Sequence, residues 1–266
     1  MRGITRDTIV ELVDRKMLWL FGIVTALTCL IAFGLGQADF RLDMQTNGQF
    51  PEELQMENIV ERATVTAVEY YAGLLLLLAV IATSGLIPRM LGRHAAEFYL
   101  SKPISRPALV FNKLFAVWLI YGLLLVVSLT LVSIVTALGL SYPGFSILYI
   151  IGNTLLLFAV WLSITGFVGI WSGSASVAMM AAFIIWAMQA VLSTRAWVGE
   201  LFGAPWLQNI VDGLYWMLPK TGEIRDISIG LALGRPIDTW SPLWTTLLFM
   251  VVAYLAAGLL IKRKDF

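Results

Sequence analysis

Three side chains could do polar chemistry inside apolar sequence: Glu69, Asn153 and Gln189. Asn153 and Gln189 are the strongest hydrogen-bonding groups in a stretch, Leu114 to Thr194, that contains no Asp, Glu, Lys, Arg or His. In lipid such groups either line a path for a polar molecule or bond to a neighbouring helix. Bonding between helices is favoured for Asn153 and Gln189. For Glu69 the alternatives are a snorkelling residue at the start of an apolar run and an acid that lines a path.

A second polar feature is the segment of residues 89–113, which is basic and contains prolines. Residues 97–100 predict a short helix that ends near Lys102, because Pro103 disfavours α geometry in the residue before it. Ser105 can cap a second helix that continues into the next apolar run. The predicted result is a helix, a turn and a helix at the membrane face, which displays Glu97, Lys102 and Arg106.

No residue pattern predicts catalysis, cofactor binding or a metal site in this chain. There is one histidine, His94, and one cysteine, Cys29, which disfavours a metal site built on histidine or thiolate ligands. Ser163 has no His or Asp beside it, and the sequence lacks a G-x-x-x-x-G-K-[ST] phosphate loop. The net charge of +1 gives no reason to expect nucleic-acid binding.

The composition predicts a membrane protein. Hydrophobic residues make up 59% of the chain and charged residues 13%, whereas a typical soluble domain has about 25% charged residues. The uncharged stretch alone can hold three spans of about 20 residues each. We therefore expect an all-α integral membrane protein.

The apolar runs predict six transmembrane helices in a single domain of residues 1–266. Residues 4–16 place their apolar side chains on one helical face, which favours an amphipathic helix at the interface over a solvated extension of the first span. Residues 195–241 are rich in Trp and Tyr, and predict short interfacial or re-entrant helices. The six spans are predicted at about residues 17–36, 70–88, 114–140, 145–171, 177–194 and 242–261.

The distribution of Lys and Arg predicts the orientation. With six spans, both termini and the segment 89–113 lie on one side, which carries twelve Lys and Arg residues against six on the other. Cytoplasmic loops carry the excess of positive residues. Both termini are therefore predicted in the cytoplasm, and the segment 195–241 is predicted outside.

The string Leu100-Ser101-Lys102-Pro103-Ile104-Ser105-Arg106, followed by Lys113 just before a span, resembles the signature loop of ABC-2 type transporter permeases. The nearest group is that of six-span permeases associated with multi-copper enzyme maturation. The layout of an amphipathic N-terminal helix, six spans and an outer helical segment is also similar to that family. The chain departs from the family pattern at Ala95-Ala96, where Gly-Thr is usual, and at Asn112, where Gly is usual.

The resemblance implies that segment 89–113 contains a cytoplasmic coupling helix that docks on an ABC ATPase dimer. ATP and Mg would then lie on that ATPase, and this chain would hold no cofactor. The resemblance also implies a second permease chain, identical or homologous, an exporter in the inner (plasma) membrane, and outer loops able to meet an extracytoplasmic partner. The residues it assigns to ATPase coupling are Arg93, Glu97, Ser101, Lys102, Pro103 and Arg106.

Three other interpretations stay open at this point. The segment 89–113 could be a plain positive-inside loop that only fixes topology. The chain could be a membrane assembly or scaffold protein without transport. An ion-coupled carrier is disfavoured, because such carriers keep an ionisable residue near the midplane and no such residue is predicted well inside a span.

Overall fold

The computed structural model describes residues 10, 16–37, 56–90, 105–140, 147–192 and 205–263, and these ranges are almost entirely helical. Apart from residue 10, they form nine helices that we number in chain order. The helices are α1 (Met17–Gln37), α2 (Met56–Thr83), α3 (Leu86–Met90), α4 (Arg106–Leu140), α5 (Ile147–Ser172), α6 (Ala175–Leu192), α7 (Pro205–Met217), α8 (Thr221–Ala232) and α9 (Ser241–Arg263).

Within the described ranges, five stretches of helix are long and apolar enough to cross a membrane. They are Met17–Gly34, Glu61–Met90, Arg106–Leu138, Ile147–Ser172 and Ser241–Arg263. The sixth predicted span corresponds to α6, whose apolar part, Ala175–Gln189, is shorter than the others. The all-helical membrane fold is thus confirmed, whereas the number of six spans stays a prediction.

Two helices begin before the spans predicted from the apolar runs. The second span was predicted from about residue 70, and the apolar helix begins near Glu61; the third was predicted from about residue 114, and α4 begins at Arg106, directly after the predicted cap Ser105. The physical reason is packing: buried side chains precede each expected start, so the helix continues beyond the purely apolar run. These side chains are Thr64, Val65 and Val68 in α2, and Leu109 and Val110 in α4.

α5 lies at the centre of the bundle and packs against α2, α4, α6, α8 and α9. It runs antiparallel to α4, because its Gly166 faces Leu114 while Leu155 faces Gly122 near the other end of the pair. It runs parallel to α2, since Asn153 lies against Glu69 and the later Gly169 lies against Pro88. These pairings place α3, the start of α4 and the end of α5 at the same end of the bundle.

We call this the basic end, because the charged residues of the neighbouring helix termini are Arg89, Arg106, Lys262 and Arg263. A separate hydrophobic cluster fills it, apart from the main core. Four helices contribute its buried side chains: Ile87 and Met90 from α3, Leu109, Val110 and Leu114 from α4, Ile170 from α5, and Ala257 and Ile261 from α9.

The break predicted near residues 172–176 is confirmed. α5 ends at Ser172, Gly173 adopts a left-handed φ of 66°, and α6 begins at Ala175. The Ser172 hydroxyl donates to the carbonyl of Val168 at 2.8 Å and accepts the N–H of Ser174 at 3.2 Å. The hydroxyl therefore bonds both sides of the turn, as Ser often does at helix ends.

Helices are also confirmed in the segment 195–241, where α7 and α8 lie. α7 exposes a stripe of large apolar side chains at helical spacing, a pattern typical of a helix that lies along a membrane interface. Trp206, Ile210, Leu214 and Met217 form this stripe. α8 instead buries one face against α5. The predicted N-terminal amphipathic helix lies outside the described residues, apart from residues 10 and 16.

Candidate functional site

The predicted coupling residues fall mostly outside the described part of the chain: Arg93, Glu97, Ser101, Lys102 and Pro103. The remaining one, Arg106, is the first residue of α4 and is partly buried. The helix starting there runs through Lys113, which is only 2% exposed, into the membrane span. The predicted continuity between the end of the loop and the third span is therefore confirmed.

Glu69 lies inside α2 and is only 3% exposed, so it does not snorkel. Asn153 of α5 donates its Nδ2 hydrogen to Glu69 Oε1 across 3.5 Å. Glu69 lies inside a candidate span that starts at Glu61, and the expectation that no ionisable residue lies near the middle of the membrane stays a prediction. The structure therefore joins two of the three polar residues that stood out in the apolar sequence.

Arg225 of α8 also contacts Glu69, and no pattern in the sequence predicted this pairing. Its Nε lies 3.9 Å from Glu69 Oε1, and its side chain is 33% exposed. Its guanidinium carbon also lies 4.3 Å from the centre of the Tyr70 ring, a distance typical of a cation–π contact. The neighbouring Asp226 carboxyl has a raised pKa because it is partly removed from water, an effect that Arg225 opposes.

Gln189 of α6 is held by α8 as well. Its Oε1 accepts a hydrogen bond from the hydroxyl of Thr221, the first residue of α8. α8 thus connects α6 to α2 at one level of the bundle. We call Glu69, Asn153, Gln189, Thr221 and Arg225 the polar cluster.

The polar cluster is incompletely satisfied within the described residues. Glu69 Oε2, Asn153 Oδ1 and Gln189 Nε2 are buried without a hydrogen-bond partner there. Leaving such a group unsatisfied costs about 1–3 kcal/mol. Clusters that retain this cost are frequent at functional sites.

A cavity of about 510 Å³ lies beside the polar cluster. This volume falls in the range of small-molecule sites, about 300–1,000 Å³. α2, α5 and α6 form its walls, and Thr221, Gly222 and Arg225 of α8 close one end. Within the described ranges, no three His, Cys, Asp or Glu side chains converge as a metal site requires. The residues that line the cavity offer hydrogen bonds, charge and apolar contact.

The start of α8 is fixed by its neighbours in the fold. The Lys220 N–H donates to Thr246 Oγ1 of α9 at 2.9 Å. The Lys220 ammonium lies 4.2 Å from the centre of the Tyr215 ring and 4.0 Å from that of Trp216. These contacts position Thr221 and Arg225 over the cavity.

We expect Thr246→Val to lower the stability of the protein, because it removes a buried acceptor that holds the start of α8. Loss of one such hydrogen bond is worth about 1 kcal/mol. Thermal unfolding of the purified protein in detergent measures the effect. Thr245→Val is the matched control, since the Thr245 hydroxyl bonds only carbonyls of its own helix, at 3.0 and 3.1 Å. Equal melting temperatures for the two variants would contradict the anchoring role of Thr246.

The family model described as "ABC-2 family transporter protein" matches residues 6–266 of the chain. No curated protein matches it.

Proposed function

Because the chain belongs to the ABC-2 family of transporter proteins, we propose that this membrane permease is half of an exporter driven by a separate cytoplasmic ATPase dimer. A second permease chain, identical or homologous, supplies the other half. ATP and Mg are bound by the ATPase. Segment 89–113 is the contact with the ATPase, through Arg93, Glu97, Ser101, Lys102, Pro103 and Arg106.

The observation that carries this proposal is the packing of both flanks of residues 91–104. The helix before this segment, α3, and the helix after it, α4, bury side chains in the same cluster at the basic end. α5 and α9 contribute to that cluster as well. A force applied to the segment therefore acts on four helices at once, as transmission by rigid-body motion requires.

Close contacts at glycines support this transmission. A Cβ on Gly169 would lie 3.1 Å from Cδ of Pro88, and one on Gly258 would lie 3.1 Å from Cε2 of Phe111. The helices at the basic end therefore approach as closely as the absence of side chains allows. Closely packed helices move together instead of deforming independently.

The basic end is the cytoplasmic side in this proposal, and the protein lies in the plasma membrane with both termini inside. The charges at this end support the assignment, because positive residues accumulate on the cytoplasmic side. Glu69 of the polar cluster then lies toward the outer side, about 24 Å at the helical rise from Gly85 at the basic end, and the cavity extends from it toward the basic end as far as Ile81. Outer loops would meet an extracytoplasmic partner on that side.

We expect Glu97→Lys and Arg106→Glu to lower substrate-stimulated ATP hydrolysis of the assembled transporter several-fold, because each reverses a charge at the docking surface. ATP hydrolysis by the complex in proteoliposomes measures the effect. Arg235→Glu is the control, since Arg235 is exposed and follows α8, away from the basic end.

Unchanged ATP hydrolysis and unchanged transport in both variants would contradict the coupling role of segment 89–113. The segment would then be a loop whose positive charges only fix the topology. A pull-down from native membranes tests the partners directly. Recovery of a soluble ABC ATPase supports the proposal. A stable complex without any ATPase and without ATP turnover would instead indicate a scaffold protein.

A further inference from the structure

The cavity beside the polar cluster is a groove between α2 and α6. Both helices pack on α5, which forms the floor. The groove is open at the side, where several large apolar side chains are exposed: Leu74, Leu77, Phe183 and Trp186. α8 closes it at the polar end.

The groove is polar at one end and apolar along the rest of its length, so it is complementary to an amphipathic molecule. Its polar end contains Glu69, Gln189, Thr221 and Arg225, and the rest of its lining is almost entirely apolar. Along α2 the apolar part runs from Glu69 to Ile81, about 18 Å at the helical rise. Half of a bilayer core is about 15 Å, so the groove matches the length of one leaflet.

Two buried atoms at the polar end, Glu69 Oε2 and Gln189 Nε2, lack hydrogen-bond partners among the described residues. Glu69 Oε1 is engaged by Asn153 and Arg225, while the buried Oε2 has no partner among the described residues. A carboxylate oxygen accepts from an N–H or O–H group, and a bond between ionised groups is about twice as strong as a neutral one. Because Glu69 lines the groove, a donor group of a molecule bound there can supply the hydrogen bond that the Glu69 carboxylate lacks.

We propose that the groove binds one amphipathic molecule, whose head donates hydrogen bonds to Glu69 and whose apolar tail lies between α2 and α6. The head carries an ammonium or hydroxyl group, and the tail has the length of an acyl chain. The molecule is either a lipid of the surrounding membrane or the transported substrate. The site is lined by residues of this chain and goes beyond the proposed coupling to an ATPase.

Two phospholipids with the same acyl chains distinguish this site from a nonspecific lipid contact. Phosphatidylethanolamine carries N–H donors, whereas the trimethylated head of phosphatidylcholine carries none. We expect the purified chain to bind phosphatidylethanolamine about tenfold more tightly, as a charged hydrogen bond predicts. Native mass spectrometry of the detergent-solubilised protein counts the bound lipid in competition between the two.

Gly73→Phe tests the location of the site. Gly73 lines the groove, and a Cβ there meets no atom within 4 Å, so the larger side chain fills the groove without disturbing the bundle. We expect it to abolish preferential binding. Gly22→Phe is the matched control, because Gly22 also has nothing within 4 Å of a Cβ but does not line the groove. Glu69→Gln tests the contact with the lipid head group. This variant should still bind phospholipid through the acyl chain but should lose the preference for phosphatidylethanolamine.

Equal binding of the two lipids by the unmodified protein, or binding that survives Gly73→Phe, would overturn the proposal. The source of the ligand is decided in the assembled transporter. If phosphatidylethanolamine stimulates ATP hydrolysis and Gly73→Phe removes the stimulation, the bound molecule is cargo. If it binds without stimulation, the site holds a resident lipid. If Arg106→Glu loses substrate-stimulated ATP hydrolysis but still binds lipid, the proposed ATPase contact and the proposed lipid site are independent of each other.

Discussion

Arg225→Leu is expected to lower the stability of the protein by about 2 kcal/mol, because it leaves the buried Glu69 carboxylate without its cation. This loss of stability is smaller than that expected for a fully buried ion pair, because the Arg225 side chain is 33% exposed and its Nε lies 3.9 Å from Glu69 Oε1. The pair joins α8 to α2, so its loss should also release α8 from the polar end of the groove. Thermal unfolding of the purified protein measures the first effect, and proteolysis between α7 and α8 the second.

The same substitution made together with Glu69→Gln separates charge from packing. Glu69→Gln keeps the shape of the side chain but removes the negative charge. If charge pairing explains the effect, Arg225→Leu should cost less than half as much in the Glu69→Gln background. An equal cost in both backgrounds would show that Arg225 acts through its contact with the Tyr70 ring, 4.3 Å away.

Gly169→Val is expected to destabilise the basic end by about 1–3 kcal/mol and to uncouple ATP hydrolysis from transport. Its Cβ would meet Cδ and Cγ of Pro88 at 3.1 and 3.2 Å, and the proline ring is too rigid to move aside. α3 and α5 would be forced apart beside the segment that we propose contacts the ATPase. We expect lower thermal stability of the chain and, in the complex, hydrolysis that no longer responds to substrate.

The control for this variant lies in the same helix. Gly152 is exposed, and a Cβ there meets no atom within 4 Å. Gly152→Val should leave stability unchanged or raise it slightly, since glycine is a poor helix former. If Gly169→Val and Gly152→Val behave alike, close packing of α3 on α5 is not important for coupling.

The apolar runs predicted the helical membrane fold because each run is long enough to cross lipid by itself, and local composition decides that property. The start of α4 at the end of the signature loop was also predictable, since Pro103 and Ser105 favour a break followed by a new helix. The apolar runs alone do not show how far α2 and α4 extend before the second and third predicted spans. That extent depends on buried side chains such as Val65 and Leu109, whose burial follows from neighbouring helices and not from the run itself.

The sequence by itself determined that the chain is a helical membrane protein, that it resembles a transporter permease, and that Glu69, Asn153 and Gln189 are unusual in their surroundings. Only the tertiary structure decided which of them meet. Asn153 contacts Glu69 across 84 positions of sequence, and Arg225 approaches from a helix that is not a candidate span. A polar side chain in lipid requires a hydrogen-bonding or charged partner, so a polar residue in an apolar run indicates that such a partner exists. The identity of the partner depends on which helices pack side by side, so it became visible only in the folded bundle.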